Sequence, residues 1–302
     1  MCRHSLLLLL WQLVVYVTSG FLATPSGRRI AARVDSNAFP VHSVSLQAAL
    51  SKGDNVLVIG GTGGVGQLVT KKLIASGFSV TVSSRNVESA ANTIVDPLVK
   101  LVPLDLVQGT SAEVEAAIQG QQAIVISVGT TAFPTLKWAN GNTPQAIDKE
   151  AVTKIAKEAA ALSGNLKKIV LLTSVGVDRT GEMPFVILNL FKVLDCKKVG
   201  EEAIKGSGVD YSIVRPGRLI GGPYTNPDFA KLMQIPGGAE NGVDLARGDD
   251  LLGDCSRDAC AEAVVQCLTN AASDNMDFSV VSNDQPALTA DAWTQAFVDM
   301  QK

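Results

Sequence analysis

A short apolar segment of the chain passes directly into a glycine-rich turn, over residues 56–66. The first four residues of this run are apolar and three of them are β-branched, which is typical of a buried strand in a parallel sheet. Glycines follow at positions 60, 63 and 66, and a helical pattern of apolar residues continues from there. Strand, glycine turn and helix in this order predict a site for the phosphates of a dinucleotide, because the turn brings backbone N–H groups and a helix N-terminus to the anion. A plain surface turn requires neither the strand nor the helix.

The three glycines have different predicted tasks. Gly60 allows the tight turn, Gly63 lets backbone N–H groups approach a pyrophosphate, and Gly66 lets the helix pack closely on the strand. The predicted phosphate-binding residues are those of the turn and the start of the helix: Gly60, Thr62, Gly63, Gly64, Val65 and Gly66.

Residues 53–302 alternate between strand-like and helix-like segments. This alternation predicts an α/β fold of the Rossmann type, a doubly wound parallel sheet with its ligand crevice at the C-terminal ends of the strands. Strands are predicted over residues 56–59, 78–82, 100–104, 123–128, 169–173, 211–214 and 278–281. One long helix is predicted over residues 184–206. The irregular region 217–250, rich in glycine and proline, and the C-terminal helices are assigned to the substrate side of the same domain.

Residues 1–52 have the composition of a targeting leader. Arg3 precedes an apolar block and small residues up to Gly20, which is the pattern of a signal peptide over residues 1–20. Residues 21–52 are rich in arginine and serine and contain one acid, Asp35, as transit peptides do. A signal peptide followed by a transit peptide that begins with Phe21 resembles the bipartite plastid leader of algae with secondary, red-lineage plastids. We therefore expect a plastid location, and the alternative is secretion or an endomembrane location with a linker after the signal peptide.

Composition restricts the chemistry and the partners of the remaining chain. Residues 1–52 hold five basic residues and one acid, so residues 53–302 carry a net charge of −7 against −3 for the whole chain. This charge argues against nucleic acid as a partner, and no stable membrane span is expected after the leader. Both histidines, His4 and His42, lie in the leader, which excludes a histidine-based hydrolase. The cysteines after the leader form no C-x-x-C pair, so no metal site is predicted.

The end of the second predicted strand indicates which dinucleotide binds. NAD sites usually place an acid there to hold the ribose 2′-hydroxyl, but here Ser83, Ser84 and Arg85 come before the first acid, Glu88. Arg85 can pair bidentately with a 2′-phosphate, and Ser84 can donate a hydrogen bond to it. We therefore predict NADP(H) as the cofactor. The alternative is that Arg85 is a solvated arginine at a strand end.

Two further strand ends are predicted to contact the cofactor. Asp105, followed by Leu106, ends the third strand and is placed to meet the adenine, although Asp105 could equally cap the helix that begins near Ser111. Ser127 and Gly129 end the fourth strand, where a glycine permits close approach of the backbone to the cofactor ribose, although Gly129 could also be a turn glycine.

These motifs resemble the atypical short-chain dehydrogenase/reductases, and in particular the NmrA-like, NAD(P)-binding members of plastids and cyanobacteria. The resemblance covers residues 54 to about 300. It rests on the glycine turn, Arg85 and the following segments: Leu171–Ser174, Phe185–Phe191 with Lys197 and Glu201, Gly208–Ser212, Ile213–Gly217 and Ser256–Ala261.

The resemblance also implies the active-site residues. Typical members use a serine, a tyrosine and a lysine four residues after the tyrosine. The resemblance places Ser174 at the serine position and Lys197 at the lysine position, where it implies a contact of Lys197 with the nicotinamide ribose. The tyrosine position is Val193, or Leu194 if the register shifts to Lys198, and neither can transfer a proton. Tyr224 is a candidate substitute acid or pocket residue, and Pro216 is placed in the pocket with residues 215–222.

Two functions remain open. One is an NADP(H)-dependent reductase of a small organic substrate in the plastid. The other is a non-catalytic NADP(H) sensor or assembly factor that binds a plastid protein partner, which the loss of the tyrosine favours.

Overall fold

A computed structural model describes residues 49–162, 164–222 and 241–302 of the chain. Several predictions fall outside these described residues: the signal peptide, most of the transit peptide, Tyr224 and much of the substrate region.

One large sheet organises the described chain. Its strands are β1 (Asn55–Ile59), β2 (Ser79–Ser84), β3 (Lys100–Pro103), β4 (Ala123–Ile126), β5 (Lys168–Leu172), β6 (Asp210–Pro216), β8 (Asn241–Arg247) and β10 (Met276–Pro286). Their order across the sheet is β3-β2-β1-β4-β5-β6-β10-β8. All neighbours are parallel except β10 and β8. Two short strands, β7 (Arg218–Ile220) and β9 (Asp254–Ser256), pair in parallel beside it.

This strand order confirms the predicted doubly wound sheet. β1 pairs with β2 on one side and with β4 on the other, so the chain reverses its direction of travel across the sheet at β1. Open α/β sheets bind ligands at such a switch point, beyond the C-terminal ends of the strands. The glycine turn follows β1 and therefore lies at this point.

Helices cover both faces of the sheet. They are α1 (Gly64–Ala75), α2 (Val87–Thr93), α3 (Ser111–Ile118), α4 (Val152–Ala161), α5 (Phe185–Leu188), α6 (Val193–Lys205), α7 (Arg257–Thr269) and α8 (Ala290–Met300), and α4 continues a π-helical stretch over Gln145–Ala151. Side chains of a strand alternate between the two faces. Accordingly, Val56 and Val58 of β1 lie in one buried cluster with α1, α7 and α8, while Leu57 and Ile59 lie in the other with α3 and α4.

The structure corrects the prediction of a continuous helix over residues 184–206. The short helix α5 ends before Lys192, whose φ of 63° is left-handed, and α6 begins at Val193. The side-chain oxygen of Asn189 accepts hydrogen bonds from the backbone N–H groups of Leu194 and Asp195 at 3.0 and 3.2 Å. Because Asn189 satisfies these first-turn donors, the chain starts a new helix there instead of continuing the old one.

The cysteines of the described chain are free and buried, and Cys260 and Cys267 pack in the core on one face of α7. No helix among the described residues is long and apolar enough to cross a bilayer. The same residues contain no group of His, Cys, Asp or Glu side chains that could hold a metal ion.

Candidate dinucleotide-binding site

The glycine turn lies tightly against β1 and β4. Gly60 has a φ of 85°, and a Cβ atom at this position would lie 2.5 Å from the backbone oxygen of Ser127. A Cβ atom at Gly66 would overlap the backbone oxygen of Gly60. Both positions therefore require glycine, one for the turn and for the approach of β4, the other for the contact between α1 and the end of β1.

The N-terminus of α1 has the features of an anion site. Gly63 is the N-cap residue and has no side chain to occupy the free backbone N–H groups, and the first turn of the helix carries no acid. The turn itself is held by the side chain of Gln67, whose Nε2 donates to the Thr62 oxygen at 2.9 Å. Val65 is buried in the core, so this residue can offer a phosphate only its backbone. The free N–H groups and the partial positive charge of the helix favour a phosphate here.

Arg85 lies at the exposed end of β2, beside the glycine turn of the neighbouring strand. Its Nη1 donates to the side-chain oxygen of Asn142 at 2.7 Å. Ser84 is engaged locally, since its hydroxyl donates to the Asn86 oxygen at 3.1 Å. Asn86 in turn caps α2 by accepting from the Ser89 N–H at 2.8 Å.

The charge of Arg85 is not neutralised by a carboxylate within the described chain. Arg179, Arg215 and Arg218 each form salt bridges with aspartate or glutamate at 2.6–3.0 Å, whereas the contact of Arg85 is to a neutral amide. A guanidinium that keeps its full charge at this edge of the sheet suits a phosphate group.

Asp105 shapes its own turn. Its Oδ1 accepts from the backbone N–H groups of Val107 and Gln108 at 2.8 and 3.0 Å, and Leu106 lies within that turn, half-buried. Helix α3 is capped instead by a reciprocal pair, in which the side chain of Thr110 accepts from the Glu113 N–H and that of Glu113 accepts from the Thr110 N–H. The alternative that Asp105 caps this helix is therefore wrong.

Gly129, Lys197 and Asp148 come together beyond β4. A Cβ atom at Gly129 would lie 2.9 Å from the Nζ of Lys197, and that Nζ lies 2.5 Å from Oδ1 of Asp148. The two charged side chains are 10% and 1% exposed. Asp148 also accepts from the backbone N–H and the hydroxyl of Thr130. The ammonium of Lys197 is therefore fixed in place beside Gly129, a residue without a side chain that follows β4.

Asp148 was not among the predicted site residues. It stands 49 positions before Lys197 in the sequence, on the π-helical stretch that leads into α4. No local motif marks a partner at that distance. The same stretch contains a second acid, Glu150, and only the structure shows that Asp148 is the buried one.

Ser174 follows β5, where its hydroxyl donates to the Val175 oxygen at 2.9 Å. Val193, at the position of the expected tyrosine, is 3% exposed and packs in a small apolar cluster with Val175 and Phe185. The residue in this position is thus a part of the core beside Ser174 and offers no proton.

The structure corrects the expectation that Arg215 lines the substrate pocket. Its side chain is 1% exposed and forms a bidentate pair with Glu201, with Nε and Nη2 at 3.1 and 2.6 Å from the carboxylate oxygens. Nη1 pairs with Asp178 and Asp277, both at 2.9 Å. Burial disfavours the charge of Arg215, but the hydrogen bonds and charges of these carboxylates outweigh it and raise its pKa. Pro216 is buried, and its backbone oxygen accepts from the Val175 N–H at 3.1 Å, which joins β6 to the segment after Ser174.

An aromatic cluster joins the segment after β4 to the segment before α6. The ring of Phe191 meets the rings of Phe133 and Trp138 edge-on, each with centroids 6.0 Å apart. Phe191 is itself partly exposed, as are three apolar residues that precede it in the sequence: Met183, Val186 and Leu190. The segments that form this cluster follow the C-terminal ends of β4 and β5. The cluster therefore lies at the same end of the sheet as Ser174 and Gly129.

A sequence profile of NAD(P)H-binding proteins matches residues 60–271, which include the glycine turn, Arg85, Ser174 and Lys197. The chain belongs to this NAD(P)H-binding family. The fold and the motifs place it among the NmrA-like proteins of the atypical short-chain dehydrogenase/reductase type, as the resemblance implied.

Relatives of this NAD(P)H-binding chain include plant proteins. Protein TIC 62 of rice, a chloroplastic protein, is 31% identical over 181 residues, which are 55% of this chain and 35% of TIC 62. The chain thus spans about a third of that relative. An uncharacterized chloroplastic protein of Arabidopsis thaliana is 29% identical over 227 residues, 72% of either chain. The crystal structure of the oxidoreductase ylbE of Lactococcus lactis has the same fold, with a TM-score of 0.62 at 17% identity over 82% of this chain and 96% of ylbE.

Proposed function

We propose that the chain binds NADP(H) in the plastid and passes hydride between its nicotinamide and a small organic substrate. The observation that carries the proposal is the guanidinium of Arg85, which lies at the end of β2 beside the glycine turn and has no carboxylate partner in the described chain. A 2′-phosphate at this edge of the sheet supplies the missing negative charge.

The residues present fit the cofactor along the sheet edge. The free N–H groups at the start of α1 hold the pyrophosphate, Arg85 holds the 2′-phosphate, and the bare backbone of Gly129 leaves room for a ribose. When bound, the nicotinamide supplies or accepts the hydride, and the chain binds and orients it.

Lys197 and Ser174 orient the reacting groups. An ammonium has three N–H donors. One of them donates to Asp148, so two remain for the hydroxyl groups of a ribose beside Gly129. Ser174 follows β5, the next strand along the sheet, and its hydroxyl can donate to a substrate oxygen when it releases the Val175 oxygen. Since Val193 offers no proton at the usual position, the proton for the product comes from water or from a group outside the described residues.

The plastid location rests on the leader composition and on the relatives. The rice and Arabidopsis proteins are chloroplastic, and residues 1–52 carry the signal-plus-transit pattern of a plastid leader. Fusing residues 1–52 to a fluorescent protein in an alga with secondary plastids should direct the fusion to the plastid. Fluorescence in the endomembranes or the medium would instead support the secretory alternative.

Replacing Arg85 with alanine should weaken NADPH binding by about 1.5–3 kcal/mol and leave NADH binding nearly unchanged, because a charged hydrogen-bonding partner of the 2′-phosphate is lost. Calorimetric titration of both cofactors measures this. The control is Arg247→Ala, which removes an exposed arginine from the edge strand β8 and should change neither affinity. Equal losses for NADPH and NADH in Arg85→Ala would contradict the NADP(H) assignment.

A panel of carbonyl, enone and quinone compounds should include one that supports oxidation of NADPH. With that substrate, Ser174→Ala should lower kcat by about tenfold to a hundredfold, the value of one hydrogen bond to a charged oxygen. Ser79→Ala, at the exposed start of β2, is the matched control and should keep full activity. Unchanged kcat and KM in Ser174→Ala would remove this serine from the reaction.

A non-catalytic NADP(H) sensor is a second candidate, and Val193 is the observation that favours it. Val193 is buried and its side chain cannot transfer a proton, so this position does not supply the acid of a reductase. The same panel separates the two functions. Tight NADPH binding with no turnover of any compound would assign the chain to the sensor class and direct the search to a plastid protein partner.

A further inference from the structure

Asn142 connects the end of β2 to the segment that follows β4. Its side-chain oxygen accepts from Nη1 of Arg85 at 2.7 Å, and its Nδ2 donates to the Ala139 oxygen at 2.7 Å. Both ends of the amide are therefore engaged, and its oxygen is directed at the guanidinium. The contact joins residues 57 positions apart in the sequence.

The backbone is bent to bring Asn142 to this position. Asn140 and Gly141 have φ values of 58° and 82°, both in the left-handed region, and they reverse the chain just before Asn142. Thr143 then accepts from the Ala146 N–H at 3.3 Å at the start of the π-helical stretch. Two successive left-handed residues are uncommon outside such a turn, so the position of Asn142 is built into the fold.

A neutral acceptor has a specific effect on an arginine. The guanidinium has five N–H donors in a planar fork, and the contact with Asn142 uses one of them at Nη1. The edge formed by Nε and Nη2 stays available for two parallel hydrogen bonds to a phosphate, and the positive charge stays uncompensated. The carboxylate partners of Arg215 and Arg218, by contrast, take both of these donors and the charge.

We propose that Asn142 is a specificity-determining residue for the 2′-phosphate of NADP(H). It acts as a positioning residue, because it holds Arg85 by one nitrogen and turns the opposite edge of the guanidinium toward the nucleotide. This inference rests on the proposed NADP(H) specificity and adds a second residue to it.

The test compares NADP⁺ with NAD⁺, which differ only in the 2′-phosphate, by calorimetric titration without any catalysis. Asn142→Ala should lower the affinity for NADP⁺ by about fivefold to tenfold, the value of one net hydrogen bond, and leave NAD⁺ unchanged. In an Arg85→Ala background, Asn142→Ala should cause no additional loss, because it acts through Arg85. Asn92→Ala, an exposed asparagine on α2, is the matched control and should keep both affinities.

Asn142→Asp distinguishes a nucleotide role from a structural brace. The aspartate is isosteric and still accepts from Arg85, and it loses only the bond from Nδ2 to the Ala139 oxygen. A role confined to holding Arg85 in place would therefore survive the change. Its carboxylate, however, neutralises the guanidinium and repels the phosphate, so the affinity for NADP⁺ should fall further than in Asn142→Ala. Thermal denaturation of each variant checks that the chain remains folded.

The outcomes separate this inference from the function on which it rests. If the unaltered chain shows no preference for NADP⁺ over NAD⁺, the NADP(H) assignment fails, and this inference fails with it. If Arg85→Ala abolishes the preference but the Asn142 variants retain it, only the role of Asn142 is overturned. Equal losses of NADP⁺ and NAD⁺ in the Asn142 variants, or additive losses in the double variant, overturn it as well.

Discussion

Replacing Glu201 with alanine is expected to lower the free energy of unfolding by about 3–5 kcal/mol, because it leaves a buried arginine without its bidentate partner. Glu201 is fully buried on α6, and its two oxygens accept from Nε and Nη2 of Arg215 at 3.1 and 2.6 Å. One of them also accepts from the hydroxyl of Thr173 at 2.6 Å. Alanine would leave two buried donors of Arg215 and the half-buried hydroxyl of Thr173 without this acceptor.

The remaining partners of Arg215 cannot replace Glu201. Asp178 and Asp277 both contact Nη1, on the other side of the guanidinium, and their side chains are 39% and 22% exposed. Burial opposes ionisation of Asp178, but a hydrogen bond from Lys198 and the charge of Arg215 lower its pKa. These carboxylates keep Arg215 charged, yet they do not reach Nε and Nη2, so those donors stay unsatisfied in the variant.

Urea denaturation of the Glu201→Ala chain measures the loss. The neighbouring Glu202 provides the control, since its side chain is 59% exposed and its pair with Lys205 is worth at most about 0.5 kcal/mol. Glu202→Ala should therefore unfold at nearly the same urea concentration as the unaltered chain. Similar midpoints for the two variants would show that the buried pair contributes little to stability.

Most of the sheet could be predicted because its strands are short runs of apolar, mainly β-branched residues. The predicted strands at residues 56–59, 100–104 and 123–128 agree with β1, β3 and β4 to within two residues. β1 and β4 are buried on both faces and need apolar residues at nearly every position, a requirement that is visible locally. The partly exposed edge strand β3 shows the signal only in Leu101 and Val102.

The strands that were not predicted lack this signal. β7 and β9 have three residues each, too few for a period to show. β8 is an antiparallel edge strand in which Asp244 and Arg247 interrupt the apolar residues. Its pairing with β10 depends on a partner about 35 residues away, which no local pattern indicates.

The candidate site divides in the same way. Gly60, Gly66 and Arg85 could be named from the sequence because each follows a recognisable strand. Asn142 and Asp148 could not, since each is defined by its partner, Arg85 or Lys197, and those partners are 57 and 49 positions away. Sequence patterns therefore identified the residues proposed to contact the nucleotide, and the structure was needed to identify the residues that hold them.

Gly66→Ala is expected to weaken the binding of both nucleotides, NADP⁺ and NAD⁺. The added methyl group would overlap the backbone oxygen of Gly60 and lie 2.8 Å from the Cα of Gly61. Both are backbone atoms of the turn that the predicted pyrophosphate approaches, so no side chain can move aside. To relieve the overlap, α1 must move away from β1. Overpacking of this kind costs about 1–3 kcal/mol, and here it also displaces the free N–H groups that face the phosphates.

We therefore expect Gly66→Ala to lower both thermal stability and the affinity for NADP⁺, the latter by more than about tenfold. NAD⁺ affinity should fall by the same factor, because the pyrophosphate is common to both nucleotides. This distinguishes Gly66→Ala from Arg85→Ala. Gly164→Ala is the matched control: it has open space around the added methyl group and no left-handed backbone, so it should keep stability and binding. A Gly66→Ala chain that retained both affinities despite its lower stability would show that the phosphates are not held at the N-terminus of α1.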